Sequence, residues 1–193
     1  MSISVLDRPT RPDAEPHLRT PSTRVRRGTP PQAAEPRVRA YLDVDGVLSP
    51  MHQHQPSPYT DWRDSEGTFW SPSMIRDFDA VDVDVSWLTT HLDQANLILA
   101  PLFGWSPRPV LPRTRERIWW KIDVLSVTHP PHEPFIWIDD EIDARRQALH
   151  GTLETILSRL SCPQLLVSPD PHVGLTPDHF SEMDEFVQRY AQR

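Results

Sequence analysis

Tyr41-Leu42-Asp43-Val44-Asp45-Gly46-Val47-Leu48-Ser49-Pro50 joins an apolar strand end to two acids and a glycine. Arg37 to Leu42 predicts the first core strand, and Asp43 to Pro50 predicts a loop at its carboxyl end, where an open parallel sheet gathers its ligands. Asp43 and Asp45 lie two residues apart, so strand-like alternation would turn both to one side. Like charges that close call for a cation or a shared proton. Gly46 permits a positive φ or a close backbone approach. The pattern points to a carboxylate pair bound to a metal.

The totals set the frame. The 193 residues suffice for one domain with a real core. No apolar run approaches the length of a membrane span, and the first residues lack the apolar segment of a signal peptide, which predicts a cytoplasmic protein. The single cysteine, Cys162, excludes an internal disulfide framework and a thiolate metal cluster, and reads as a small buried side chain. Residues 1 to 39 hold eight arginines against Asp7, Asp13, Glu15 and Glu35, a balance of +4, so the total of -7 leaves -11 for the remainder. An acidic body argues against a broad nucleic-acid-binding surface, which needs clustered cations. Nineteen of the twenty basic residues are arginine, and Lys121 is the exception. A compact ammonium is not interchangeable with a planar guanidinium, so a lone lysine hints at a site that requires one.

Residues 1 to 36, rich in Pro, Arg, Thr and Ser without apolar periodicity, predict a disordered tail able to contact an anionic partner. After the first strand, Tyr59 to Arg63 and Thr68 to Trp70 flank the turn residues Asp64, Ser65 and Gly67 and predict a hairpin. His52 and His54 precede it as exposed loop residues, or as groups reaching a substrate or metal. Ser71-Pro72 starts a helix running to about Phe78. Asp77, Asp79, Asp82 and Asp84 lack the glycine and closing glutamate of a calcium loop and read as a solvated connection.

Val83 to Leu88 predicts a second strand ending in Thr89-Thr90, where a hydroxyl can donate to a phosphate oxygen without adding charge. A helix from about Asp93 to Leu102 turns Ala95, Ile98, Leu99 and Leu102 inward, with Asn96 structural, and Pro107 to Leu111 suggests a short strand. Arg115 to Val127 predicts a helix carrying Lys121, with Ile118, Ile122 and Leu125 inward and Trp119 and Trp120 as packing groups. Pro134 to Ile138 is an apolar strand running into Asp139-Asp140-Glu141, and adjacent acids there repel unless a cation holds them. Glu141 and Asp143 suit the positive end of the next helix, over residues 142 to about 160. Gln164 to Val167 predicts a last strand, Asp170 a turn, and Thr176-Pro177-Asp178 the start of an amphipathic helix with Phe180, Met183, Phe186, Val187 and Tyr190 on its apolar side.

Taken in order, Asp43-Val44-Asp45-Gly46, Thr89-Thr90, Lys121 and Asp139-Asp140 resemble the four motifs of the haloacid dehalogenase (HAD) superfamily of phosphohydrolases. The resemblance covers residues 40 to 140. It implies an α/β fold over residues 37 to 193: a three-layer Rossmann-like (HAD-like) domain with a central parallel sheet, a small flap hairpin and no large cap. It implies Mg2+ held by Asp43, the backbone carbonyl of Asp45, Asp139, and Asp140 directly or through water, a set that suits a cation preferring oxygen ligands. It also implies Asp43 as nucleophile, Asp45 as acid and base, and Lys121 as the ammonium balancing Asp43 and the phosphoryl group. Thr89 binds phosphate by hydroxyl and Thr90 by backbone, or the reverse. The expected activity is a magnesium-dependent phosphatase acting through an aspartyl-phosphate on a phosphomonoester, either a small molecule or a nucleic-acid or protein phosphate end. The alternative is a catalytically silent HAD-like phosphate-binding or scaffold protein recruited through its arginine-rich tail.

Overall fold

The computed structural model describes residues 38–51, 57–65, 67–115 and 118–190. The tail of residues 1 to 36, His52 and His54 lie outside the described residues. Four strands, β1 (Val38–Leu42), β4 (Val83–Trp87), β5 (Phe135–Ile138) and β6 (Gln164–Val167), form one parallel sheet in the order β4-β1-β5-β6. The chain leaves β1 for β4 on one side and then crosses to β5 on the other. The carboxyl end of β1 is therefore a switch point, where connections diverge and leave a crevice.

Both faces of the sheet are covered, as the predicted three layers require. Val38, Ala40 and Leu42 of β1 join Val85, Ile136 and Ile138 in one core. Its outer wall comes from α1 (Pro72–Ala80), a π-helical turn over Ala95–Leu99, α2 (Ala100–Phe103) and α6 (Pro177–Tyr190). Tyr41, Phe135 and Trp137 face the other way, against α3 (Trp120–Thr128), α4 (Ile142–Ala148) and α5 (Thr152–Ser158). Strands buried on both faces read as continuous apolar runs, which explains Phe135-Ile136-Trp137-Ile138. At the far end of the sheet the Tyr41 hydroxyl meets His129 Nδ1 at 2.8 Å, and His129 Nε2 lies 2.8 Å from the Glu133 carbonyl. Burial lowers the His129 pKa, so the ring is held neutral. Cys162 lies partly buried beside it, its thiol pushed up by burial, in keeping with an inert packing group.

Several predicted elements differ in extent. The hairpin pairs β2 (Arg63–Ser65) with β3 (Thr68–Trp70), and Tyr59 to Trp62 take no part in it. Those residues are docked by side chains instead: the Tyr59 hydroxyl donates to Asp77 at 2.8 Å, and Asp61 accepts from the hydroxyls of Ser71 and Ser73. The predicted strand at Pro107 to Leu111 is reduced to one bridge, Val110 against Trp87, because prolines 107, 109 and 112 have no N–H for a ladder. Pro101 likewise cannot donate within its helix, and the chain there passes through the π-helical turn, leaving Ile98 at 40% exposure and outside the predicted face. Asn96 is structural as expected, accepting from the Trp87 indole at 3.0 Å and donating to the Arg108 carbonyl at 2.8 Å.

Helix α3 begins at Trp120 and not at Arg115, and Ile118 is exposed. Trp119 is extended at φ -153° so that its ring can stack on Trp137 at 4.8 Å. The helix predicted over residues 142 to 160 is broken into α4 and α5 at Gly151, which has φ +83°. Among the described residues no helix is long and apolar enough to cross a membrane. The described segments joining β1 to β4 hold only the β2–β3 hairpin and α1 as regular elements, so no large cap appears there.

Ser71 both caps α1, accepting from the Met74 N–H at 3.2 Å, and donates to Asp61. Ser71→Ala should therefore cost about 1–2 kcal/mol, the scale of a lost cap at a buried position. Urea unfolding of the two proteins measures the difference.

Candidate functional site

The tips of β1 and β5 carry Asp43 and Asp139. Backbone bonds continue past each strand: Asp43 N–H donates to the Ile138 carbonyl and Asp139 N–H to the Val167 carbonyl, both at 3.0 Å. These bonds fix the two backbones side by side, so both carboxyl groups enter the same crevice. Asp43 is 5% exposed and Asp139 fully buried. Lys121, 1% exposed in the first turn of α3, reaches between them: its Nζ donates to Asp43 Oδ2 and, at 2.7 Å, to Asp139 Oδ2. Two buried carboxylates that close repel strongly, and the ammonium is what makes their proximity tolerable.

The remaining oxygens are also held. Asp43 Oδ1 accepts the Val44 N–H at 2.8 Å, and Asp139 Oδ1 accepts the Glu141 N–H at 3.0 Å. Thr89, fully buried two residues past β4, lies close enough to Asp43 for its hydroxyl to lower that carboxyl's pKa slightly, whereas Thr90 is exposed. Asp140 is half-buried, and its carboxyl lies against Gly46. A Cβ on Gly46 would come within 2.5 Å of that carboxyl, and its φ of +70° is itself unfavourable for other residues. One oxygen each from Asp43, Asp139 and Asp140 lies within 4.8 Å of the others.

Asp45 departs from the strand-alternation reading. The strand stops at Leu42, the turn from Val44 to Ser49 takes over, and the Asp45 carboxylate pairs with His91 Nε2, at 3.3 Å from Oδ1 and 3.2 Å from Oδ2. Its carboxylate is thus not one of the clustered three. Trp119 and Trp120 flank the lysine, with Nζ 5.9 and 6.0 Å from their rings. Both are almost fully buried, which makes them packing groups as expected. Glu141 pairs with Arg145 and Asp143 with Arg146 on α4, their helical role. Asp170 closes a turn by accepting the His172 N–H at 2.8 Å. His91 is the residue that sequence reasoning passed over. Its one available signal was its place two residues after Thr89.

Charge follows from burial. Desolvation raises the Asp43 carboxyl above its ordinary value, against the pull of Lys121. Desolvation and the Asp43 charge push Asp139 up to about 8, and the same two causes push Asp140 up to about 6. Burial alone would lower the Lys121 pKa, but Asp139 and Asp43 outweigh it and raise it, so the ammonium stays charged. The His91 hydrogen bond holds Asp45 below the usual carboxylate range, and the same bond raises His91. Three clustered acids against one ammonium leave the crevice electronegative, with hard oxygen donors converging on one point. That donor set fits a divalent cation such as Mg2+.

No family model, curated protein or solved structure matches this chain. The site therefore rests on its own geometry.

Burial and the Asp43 charge raise the Asp139 carboxyl in the folded chain from the ordinary 3.8 to about 8. Between those values the native state binds more protons than the unfolded one, so stability falls as pH rises. With chelator present, the wild type should lose stability relative to Asp139→Asn as pH climbs through that window. Lys121 remains neutralised by Asp43 in the variant. Urea midpoints across a pH series check this, and a difference independent of pH would contradict it.

Gly46→Ala should displace the Asp140 carboxyl and cost at least about 1 kcal/mol from the positive φ alone. Unfolding curves with and without magnesium measure both effects.

Proposed function

We propose that this chain is a magnesium-dependent phosphohydrolase of HAD-like type, acting on a phosphomonoester through an aspartyl-phosphate. The observation that carries the reading is the gathering of Asp43, Asp139 and the half-buried Asp140, one oxygen of each within 4.8 Å of the others, with Lys121 bridging Asp43 and Asp139. A structural ion pair needs one acid for its lysine. Three acids around one ammonium suit a site built to hold a cation and an anion together.

In this reading Asp43, Asp139 and Asp140 hold the cation with the backbone carbonyl of Asp45. When bound, Mg2+ supplies charge neutralisation to the transferring phosphoryl group. An Asp43 oxygen attacks phosphorus, the bond from phosphorus to the ester oxygen breaks, and its electron pair goes to that oxygen, which takes a proton from Asp45. That carboxyl is ionised in the free site and takes up a proton from solvent as the negative charge of the phosphate arrives beside it. In the second step Asp45 accepts a proton from water as that water attacks phosphorus, and the bond to Asp43 breaks to return its carboxylate. Lys121 stays beside Asp43 throughout, where negative charge builds in both transition states. Thr89, buried beside Asp43, would donate to a phosphate oxygen, and Thr90 faces solvent. Asp45 lies on the open side of the crevice, its side chain 49% exposed, so the leaving group departs toward solvent and its size is weakly restricted.

Asp43→Asn keeps the size of the side chain and removes the nucleophile. It should lower hydrolysis of an aryl phosphate by roughly 10⁴-fold or more while the fold is retained. Chelator should abolish wild-type turnover, and added magnesium should restore it. Turnover retained in Asp43→Asn, with circular dichroism unchanged, would discard the nucleophile assignment.

A further inference from the structure

His91 is the charged or titratable side chain that meets Asp45, and its position is built, not incidental. It sits in the loop that leaves β4, two residues past Thr89. The Thr89 hydroxyl accepts the His91 N–H at 3.4 Å, and the Thr89 carbonyl accepts the Leu92 N–H at 3.3 Å. Leu92 adopts φ +50°, a left-handed conformation that a branched apolar residue takes only where its surroundings impose it. The turn that buries Thr89 thus also aims His91 Nε2 at Asp45, from two positions of one loop. The imidazole meets both carboxylate oxygens at nearly equal distance, 3.3 and 3.2 Å, so it centres the carboxyl group without occupying one oxygen.

A role in stability alone does not account for this contact. The side chains are 30% and 49% exposed, and exposed pairs of this kind contribute little to folding. What the contact does supply is direction. Asp45 follows the strand by three residues, in a turn, and its side chain is half exposed.

We infer that His91 is a positioning residue for Asp45, holding its carboxyl toward the ester oxygen so that the proton reaches the leaving group on the open side of the crevice. The inference rests on the phosphohydrolase reading and extends it to a residue outside the four motifs. It carries a chemical signature. Proton delivery matters most when the leaving alkoxide or phenoxide is basic, and little when it is a stable anion. Loss of His91 should therefore act selectively on esters with poor leaving groups.

The test uses the full chain with magnesium and two substrates, phenyl phosphate and para-nitrophenyl phosphate. His91→Ala should lower kcat/KM, which reports the step in which the ester oxygen leaves, for phenyl phosphate by roughly tenfold to a hundredfold more than for para-nitrophenyl phosphate, toward the low end of what general-acid catalysis supplies. His91→Gln, whose terminal amide can donate to the same carboxylate, should recover part of the loss on phenyl phosphate. Equal losses on the two substrates, no loss on either, or a Gln variant no better than Ala would overturn the positioning role while the phosphohydrolase reading stands. A wild type that hydrolyses neither ester removes both.

Discussion

The bridge from Lys121 to Asp43 and Asp139 is the contact on which the rest of the site depends. Two adjacent parallel strands end at the same height, each with an aspartate, and their backbones are locked together by the continuing ladder. Left alone, those carboxyl groups would be forced to take up protons or to move apart. The ammonium of α3 offsets part of this cost, and the structure around it is arranged to hold it there. Trp119 is extended and stacked on Trp137, Trp120 opens the helix, and Lys121 is delivered inward from the first turn, shielded from water by both indoles.

The crevice has two halves of different character. Asp43, Thr89, Lys121 and Asp139 form a dry inner half in which every carboxylate oxygen of the two acids has a donor or the ammonium. Asp45, His91 and Asp140 form an outer half that is partly solvated. In a low-dielectric inner half electrostatic contacts are strong and fixed, which suits the transfer of a charged group. In a wetter outer half, contacts can aim a side chain without trapping it. The loops follow the same division. Gly46 passes so close to Asp140 that no side chain fits, and the 168–175 segment packs on the loop after β1, with the Leu175 N–H donating to the Val47 carbonyl at 3.0 Å.

Much of the scaffold was legible because its signals are local. Strand-like segments ending in acids marked β1 and β5, the second an unbroken apolar run, Ser71-Pro72 marked the start of α1, and the spacing of Phe180, Met183, Phe186 and Val187 marked α6. Elements were misjudged where side chains commit the backbone elsewhere. Tyr59 to Trp62 look like a strand but are docked to α1 through Asp61 and Asp77. Arg115 to Trp119 look helical, but stacking of Trp119 on Trp137 demands an extended residue. Prolines 101, 107 and 109 were visible in the sequence, and the missing N–H groups explain both the interrupted helix and the single-bridge strand.

By itself the sequence determined which residue types stand at strand ends and at which separations, and so the acid, hydroxyl and lysine content of the crevice. Such information is carried by neighbours along the chain, through backbone preference and hydrophobic period. Only the tertiary structure decided that Lys121 touches both Asp43 and Asp139, that Thr89 and not Thr90 turns inward, and that Asp45 leaves the strand pattern to meet His91. Those outcomes depend on ladder register, on the turn after each strand and on which side chains compete for the interior, and none of these is set within a short window of residues.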